Sequence, residues 1–275
     1  MFELQPPQDD GLYVGPSVGP WSAQKHHFLR RYIDAFMTAM RNKKWDGLHY
    51  IDLFAGAGIE RIEGNGLDWG SPLIAAQSPL RFSRLHLCEK VEKKYRALAE
   101  RLIRFQQPTA PQLIRGDANA EVAGIVDEIP SGALSLAFLD PYGLHLHFEA
   151  LKRLSTRRVD FIIFFPDHLD ALRNWEEVYA GKADSNLDRV LGGAAWLPRM
   201  LEVPRERWAE VLGKIYVAQI KSLGYRFFDF ERIARSDGRF LYRLIFCSRG
   251  EAGLKIWRGI AMRKAGGQGS LNFHE

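Results

Sequence analysis

The chain is short of cysteine and methionine, with two and five in 275 residues. Cys88 and Cys247 each lie in an apolar run, which argues against a disulfide framework or a thiolate-held metal. No window approaches the roughly 18 apolar residues that span a bilayer, so no membrane association is expected. The opening MFELQPPQDDGLYVGPSVGP lacks the basic-then-apolar order of a signal peptide, and a cytoplasmic protein is the expectation. Neither sign of charge dominates: 38 Lys and Arg stand against 33 Asp and Glu, a net +5. A surplus of that size is compatible with a nucleic acid partner without specifying one. It is concentrated late, with ten basic and four acidic residues between Arg226 and Lys264. An ordinary solvated surface accounts for that stretch equally well.

Hydrophobic residues make up 46% of the chain, enough to build one large core. Residues 1–20 are Pro/Gly-rich and aperiodic, a tail or a strap over the domain that occupies 21–275. Gln24–Arg41 places Phe28, Leu29, Tyr32, Ile33, Phe36, Met37 and Met40 on one helical face. Five short apolar runs follow: HYIDLFA (49–55), RLHLCE (84–89), PQLIRGD (111–117), LSLAFLDP (134–141) and VDFIIFFP (159–166). Amphipathic segments such as Val91–Phe105 and Asn119–Ile129 separate them. Strands alternating with helices predict an α/β fold with a parallel sheet covered on both faces. Residues 167–203 break the rhythm and read as an irregular insertion. A helix over about Arg205–Leu223 then leads to strand-like runs at 225–234 and 240–249, joined through the Asp-Gly of RSDGR, a hairpin signal. A Rossmann-like, doubly wound sheet ending in an antiparallel hairpin is the layout of class I methyltransferases.

The stretch YIDLFAGAG (50–58) carries the first chemical signal. A nicotinamide fingerprint needs a third glycine and an immediate helix; Arg61 stands where that glycine belongs, and the polar stretch 59–70 reads as a loop. The next helix is expected at Ser71, with Ser as cap and Pro72 at the first helical position. No Gly-Lys-[Ser/Thr] follows, so a phosphate loop fails as well. S-adenosylmethionine suits the pattern better. Asp52, Phe54, Ala55, Gly56 and Gly58 would bring backbone close to the cofactor, where a Cβ would clash. Glu89, at the end of the second strand beside Lys90, is placed to accept two ribose hydroxyls. Asp117, followed by Ala118 at the end of the third, is placed to meet an adenine amino group. Each acid alone also reads as a helix cap.

The fourth strand ends LDPYG, Asp140–Gly143. Asp140 and the Pro141 carbonyl can accept the N–H bonds of a planar amine, and Tyr142 can stack on its ring. Holding the amine so would contribute most of the catalysis through proximity. The same four residues also make a good turn. Lys25 and His26 open the first helix, placed either to reach cofactor or phosphate or as a solvated helix start. Arg173, Asn174 and Trp175 combine a cation with an aromatic, as a nucleic acid groove does, although such a Trp is often core. His145 and His147 alternate like a metal pair, but no acid stands at ligand spacing and no metal is expected.

WSAQKHHFLRRYI, YIDLFAGAG, GSPLIAA, CEK, LDPYG, VDFIIFFP and LYRLIFCSRGEAGLKIW together resemble the three-Cys-motif partner protein family over about residues 20–265. The resemblance implies a methyltransferase-like fold and a gene neighbour of three-cysteine radical type with separate iron–sulfur chemistry. Asp140–Gly143 also resembles the corresponding motif of DNA and RNA amino-methyltransferases, without their double proline. It is similar too to the Asp-Pro-aromatic-Gly of some tRNA guanine methyltransferases. The leading expectation is therefore an S-adenosylmethionine-dependent N-methyltransferase acting on a nucleic acid base. The alternatives are a noncatalytic cofactor-binding or docking partner of the radical-type protein, and, behind both, a nuclease, for which the sequence offers no clear acidic metal cluster although strand-end Asp52, Glu89, Asp117 and Asp140 imitate one.

Overall fold

The computed structural model describes residues 3–166, 184–234 and 240–261. Helix α1 (Trp21–Met40) starts after Pro20 and buries the whole apolar stripe from Phe28 to Met40. Next come β1 (Leu48–Asp52), a hairpin of β2 (Ile59–Ile62) and β3 (Gly66–Trp69), and the short α2 (Ser71–Ala76). Alternation then sets in: β4 (Arg84–Glu89), α3 (Glu92–Leu102), β5 (Gln112–Arg115), α4 (Ala118–Asp127), β6 (Leu134–Leu139), α5 (Phe148–Leu154) and β7 (Arg158–Phe165). The part of the 167–203 segment that is described folds into two short helices, α6 (Asn186–Leu191) and α7 (Trp196–Leu201). A 3-10 turn at Arg205–Arg207 opens α8 (Trp208–Ser222), followed by β8 (Phe227–Ala234), β9 (Phe240–Ser248) and α9 (Glu251–Ala261).

Among the described residues seven strands form one sheet in the order β5-β4-β1-β6-β7-β9-β8. The first five are parallel, and β9 runs antiparallel between β7 and β8. This is the doubly wound sheet of the class I methyltransferase type. Its central strands are buried along almost their whole length because both faces are covered. Along β1, Ile51 packs beneath α4, α5 and α8, while Tyr50 packs beneath α1 and α2. Along β6, Ala137 and Phe138 divide the same way. Helix α9 closes the second face through Trp257, which stacks on Phe246 at 5.0 Å and Phe28 at 5.8 Å.

Besides the two helices found where an irregular insertion is expected, two local features differ from the sequence expectation. The polar stretch 59–70 is the β2–β3 hairpin rather than a loop, its turn made by Gly64 and Gly66 with φ of 72° and 79°. Its strands alternate too weakly in hydrophobicity to announce themselves. The cap of α2 is Gly70, not Ser71, whose hydroxyl is engaged elsewhere.

The N-terminal segment acts as a strap. Trp69 Nε1 donates to the Gln5 carbonyl at 2.6 Å, and Val18 bridges to Ile62. Arg101, 1% exposed on α3, donates to both oxygens of Asp10 at 2.7 and 2.9 Å and to the Ala57 carbonyl at 2.7 Å. One guanidinium thereby ties the strap to the glycine loop.

Candidate active site

Strand order reverses between β1 and β6, since β4 and β5 lie on one side and β7 on the other. In open α/β sheets, ligands bind outside the carboxyl ends of the strands at such a point. Asp52, Glu89, Asp117 and Asp140 all stand at or just past those ends.

Asp52 is wholly buried. Its carboxylate accepts from Ser71 Oγ at 2.6 Å, the Phe54 N–H at 3.1 Å and the Tyr50 hydroxyl at 3.4 Å. Burial pushes its pKa up to about 7, the hydrogen bonds working against that rise and the charge of Asp140 adding to it. Its contacts make it the hub that fixes the turn into the glycine loop. In the sequence Ser71 reads only as a local cap before Pro72, with nothing to indicate its bond to Asp52.

The loop turns at Gly56 and Gly58, with φ of 65° and 83°. A Cβ on Gly56 would enter open space, whereas one on Gly58 would meet Leu73 and Leu98 at 2.9 to 3.0 Å. Gly56 therefore borders a cradle, and Gly58 allows close packing. Ala55 is buried and its N–H donates to the Cys88 carbonyl at 2.9 Å, joining the loop to β4.

Glu89 is buried with each carboxylate oxygen holding one backbone N–H, Gly56 at 2.8 Å and Val91 at 2.7 Å. Each oxygen keeps a further lone-pair direction for a ligand hydroxyl. Asp117 caps α4 through the Asn119 N–H at 3.0 Å and pairs with Lys90 at 3.0 Å. The Lys90 hydrogen bond holds its pKa below the usual carboxylate range, against some burial. Both side chains are well exposed, so the pair itself stabilises little. Ala118 is the buried first residue of α4.

Beyond β6, Asp140 forms an ion pair with Lys25, which α1 sends across the crevice. The Lys25 ammonium lies 4.9 Å from the centre of the Phe164 ring and 5.9 Å from that of Tyr242. Pro141 is buried, Gly143 has a φ of 77°, and Tyr142 projects outward, 93% exposed. Asn119 fastens the loop, donating to the His145 carbonyl and accepting from the His147 N–H, each at 2.9 Å. Asn186 of α6 donates to the Leu144 carbonyl. The His147 ring meets the Asn186 amide oxygen at 3.2 Å. No group of three metal-ligating side chains occurs among the described residues.

His26 is buried and faces Asp68 at 3.4 Å and Glu60 at 3.7 Å on the hairpin, away from the solvated helix start that was one expectation. Arg173, Asn174 and Trp175 lie outside the described residues. Of the late basic surplus, Arg243 is buried and Arg249 donates to the Leu223 and Arg157 carbonyls. No helix among the described residues is long and apolar enough to cross a membrane.

No protein-family model matches the chain, and no curated protein matches it. Similar solved structures include a Legionella pneumophila protein at 10% identity, covering 88% of this chain and 93% of that one with a TM-score of 0.49. Another is an O-methyltransferase from Bacillus cereus in complex with S-adenosylhomocysteine, at 11% identity, 84% and 82% coverage and a TM-score of 0.49. A third is Trm1 from Pyrococcus horikoshii with S-adenosylmethionine, at 15% identity, 93% and 64% coverage and a TM-score of 0.45. The strand order, rather than these distant likenesses, establishes the fold.

Proposed function

We propose that the chain is an S-adenosylmethionine-dependent N-methyltransferase acting on an exocyclic amino group of a nucleic acid base. The observation that carries this reading is a coincidence of place. At the crevice where strand order reverses, the open cradle beside Gly56 occurs together with an acid followed by an exposed aromatic, Asp140 and Tyr142.

The residues present fit the cofactor. The cradle admits a ligand against bare backbone, Glu89 retains lone pairs for two ribose hydroxyls, and Asp117 offers an acceptor for an adenine amino group. When bound, the cofactor supplies an electrophilic methyl group. Asp140 and the Pro141 carbonyl would accept the N–H bonds of the target amine and direct its lone pair. The carboxylate also stabilises the positive charge that develops on the nitrogen. Tyr142, free of packing, offers a ring face to the base. Membership of the three-Cys-motif partner family and a cytoplasmic location belong to the same proposal, on the ordered motifs between residues 20 and 265; a noncatalytic docking partner of a radical-type protein is its alternative.

The test is methyl transfer from labelled cofactor into total cellular DNA, RNA and protein, with wild type beside Asp140→Ala. Wild type should label nucleic acid, and Asp140→Ala should lose about a hundredfold to a thousandfold while binding cofactor normally. A wild type that binds cofactor tightly and labels nothing would hand the assignment to the docking reading. Equal labelling by both proteins would reduce LDPYG to a turn.

A further inference from the structure

The Lys25–Asp140 pair joins positions 115 apart in the chain and brings five elements to one point. Lys25 comes from α1, Asp140 follows β6, Phe164 belongs to β7 and Tyr242 to β9, and the Glu60 carboxylate of β2 acts on the same ammonium. The Lys25 side chain is 10% exposed and that of Asp140 is 24% exposed, so water reaches the carboxylate more readily than the ammonium. An ordinary surface pair would leave both ends solvated.

We propose that Lys25 is the positioning and selectivity residue of Asp140, holding one carboxylate oxygen so that the site takes a neutral planar amine and turns away a protonated aliphatic one. This rests on the amine-methyltransferase reading of the same site. A protonated amine reaching Asp140 would come within a few ångströms of a fixed ammonium in a poorly solvated crevice, where like charges repel strongly. A neutral N–H donor meets no such repulsion and finds the second oxygen oriented for it. Lys25 also supplies the positive charge that faces two carboxylates, Asp140 and Glu60. Burial lowers the pKa of the ammonium, but Asp140 and Glu60 outweigh that and raise it, so Lys25 stays charged and does not act as a base. The groups facing the pair are Asp52 and Tyr50 of β1, Glu60 of β2 and Tyr242 of β9.

Two measurements separate this inference from the functional reading. The first needs no substrate: the orientation of the Asp140 carboxylate is read from crystal structures of wild type, Lys25→Met and Lys25→Arg. The carboxylate should leave its wild-type rotamer in Lys25→Met and keep it in Lys25→Arg; an unchanged rotamer in Lys25→Met overturns the positioning role. The second compares labelling of total RNA and DNA with labelling of poly-L-lysine. The preference of wild type for nucleic acid should fall at least tenfold in Lys25→Met and recover in Lys25→Arg. A preference unaltered by Lys25→Met, or a wild type that labels poly-L-lysine better, overturns the selectivity role. If wild type labels neither polymer, the functional reading and the selectivity role fail together, and the crystal structures alone decide the positioning role.

Discussion

The Gly56 N–H donates to Glu89 Oε2 at 2.8 Å, so the glycine loop after β1 and the acid ending β4 hold each other in place. The carboxylate proposed to meet the cofactor therefore also anchors the loop. Removing the carboxylate in Glu89→Ala should weaken S-adenosylhomocysteine binding by roughly 2–3 kcal/mol, since hydrogen bonds to a charged acceptor are the stronger kind. Because the loop also loses its anchor, calorimetry should include the 2′-deoxyribose analogue. Wild type should discriminate against that analogue, and Glu89→Ala should not. Equal discrimination by both proteins would mean that the carboxylate serves the loop alone.

The two loop glycines make opposite demands. Gly56→Val places a side chain in open space and pays only for its left-handed backbone, about 1–2 kcal/mol. Gly58→Val adds a clash with Leu73 and Leu98, and overpacking of this kind costs roughly a further 1–3 kcal/mol. Thermal melting should therefore rank Gly58→Val as the less stable. Calorimetry should show Gly56→Val folded but unable to bind cofactor, and cofactor binding that survives Gly56→Val would place the ligand elsewhere.

The strap should matter to stability and respond to acid. The Arg101 hydrogen bond, helped by Arg104 and working against partial burial, lowers the Asp10 pKa to about 2. Its unfolded value is near 3.8, so the unfolded chain takes up a proton first as pH falls. The contribution of Asp10 is complete above pH 4 and is lost between about pH 4 and 2. Asp10→Asn leaves the buried Arg101 without its counter-charge and should cost about 2–3 kcal/mol at neutral pH, read by denaturant unfolding. The difference from wild type should shrink below pH 3; a constant difference would exclude the ion pair as its origin.

A second acid response lies at the opposite end of the sheet. His49 Nδ1 lies 2.9 Å from His86 Nε2, and His86 Nδ1 lies 2.6 Å from Gln112 Oε1. That chain is satisfied when both rings are neutral. Burial, followed by the charge of His86, lowers the His49 pKa to about 4 from an ordinary 6.5. The unfolded chain therefore binds a proton that the folded chain refuses, and His49 removes stability as pH falls from 6.5 to 4. Asp52 works in the opposite sense, because its raised pKa keeps a proton on the folded chain below pH 7. The melting curve of wild type alone mixes the two. The difference between wild type and His49→Gln isolates the first, and it should move against wild type across that window. A flat difference would show that His49 is protonated in the fold.

Local chemistry made part of the site legible. The acids at the ends of β1, β4, β5 and β6 could be placed because strand ends follow from short-range hydrophobic patterning. Their partners could not. Ser71 resembles a helix cap, yet its hydroxyl goes to Asp52, 19 positions away. Asn119 looks like an ordinary helix-start residue and Asn186 lies in a segment that reads as irregular, yet both hold the loop after Asp140. The β2–β3 hairpin escaped notice because its strands are short and polar and gain their support from the strap.

Local patterning specified the alternation of the five parallel strands with their helices, the apolar faces of α1 and the central strands, and the glycines and acids at the strand ends. Each depends on the periodicity of a local segment or on the conformational range of one residue. Only the tertiary structure decided that Arg101 ties the strap to the glycine loop and that Lys25 meets Asp140. Such pairings join side chains whose chain separation exceeds any local period. The positions of the partners are set by the packing of elements on both faces of the sheet rather than by their neighbours in sequence.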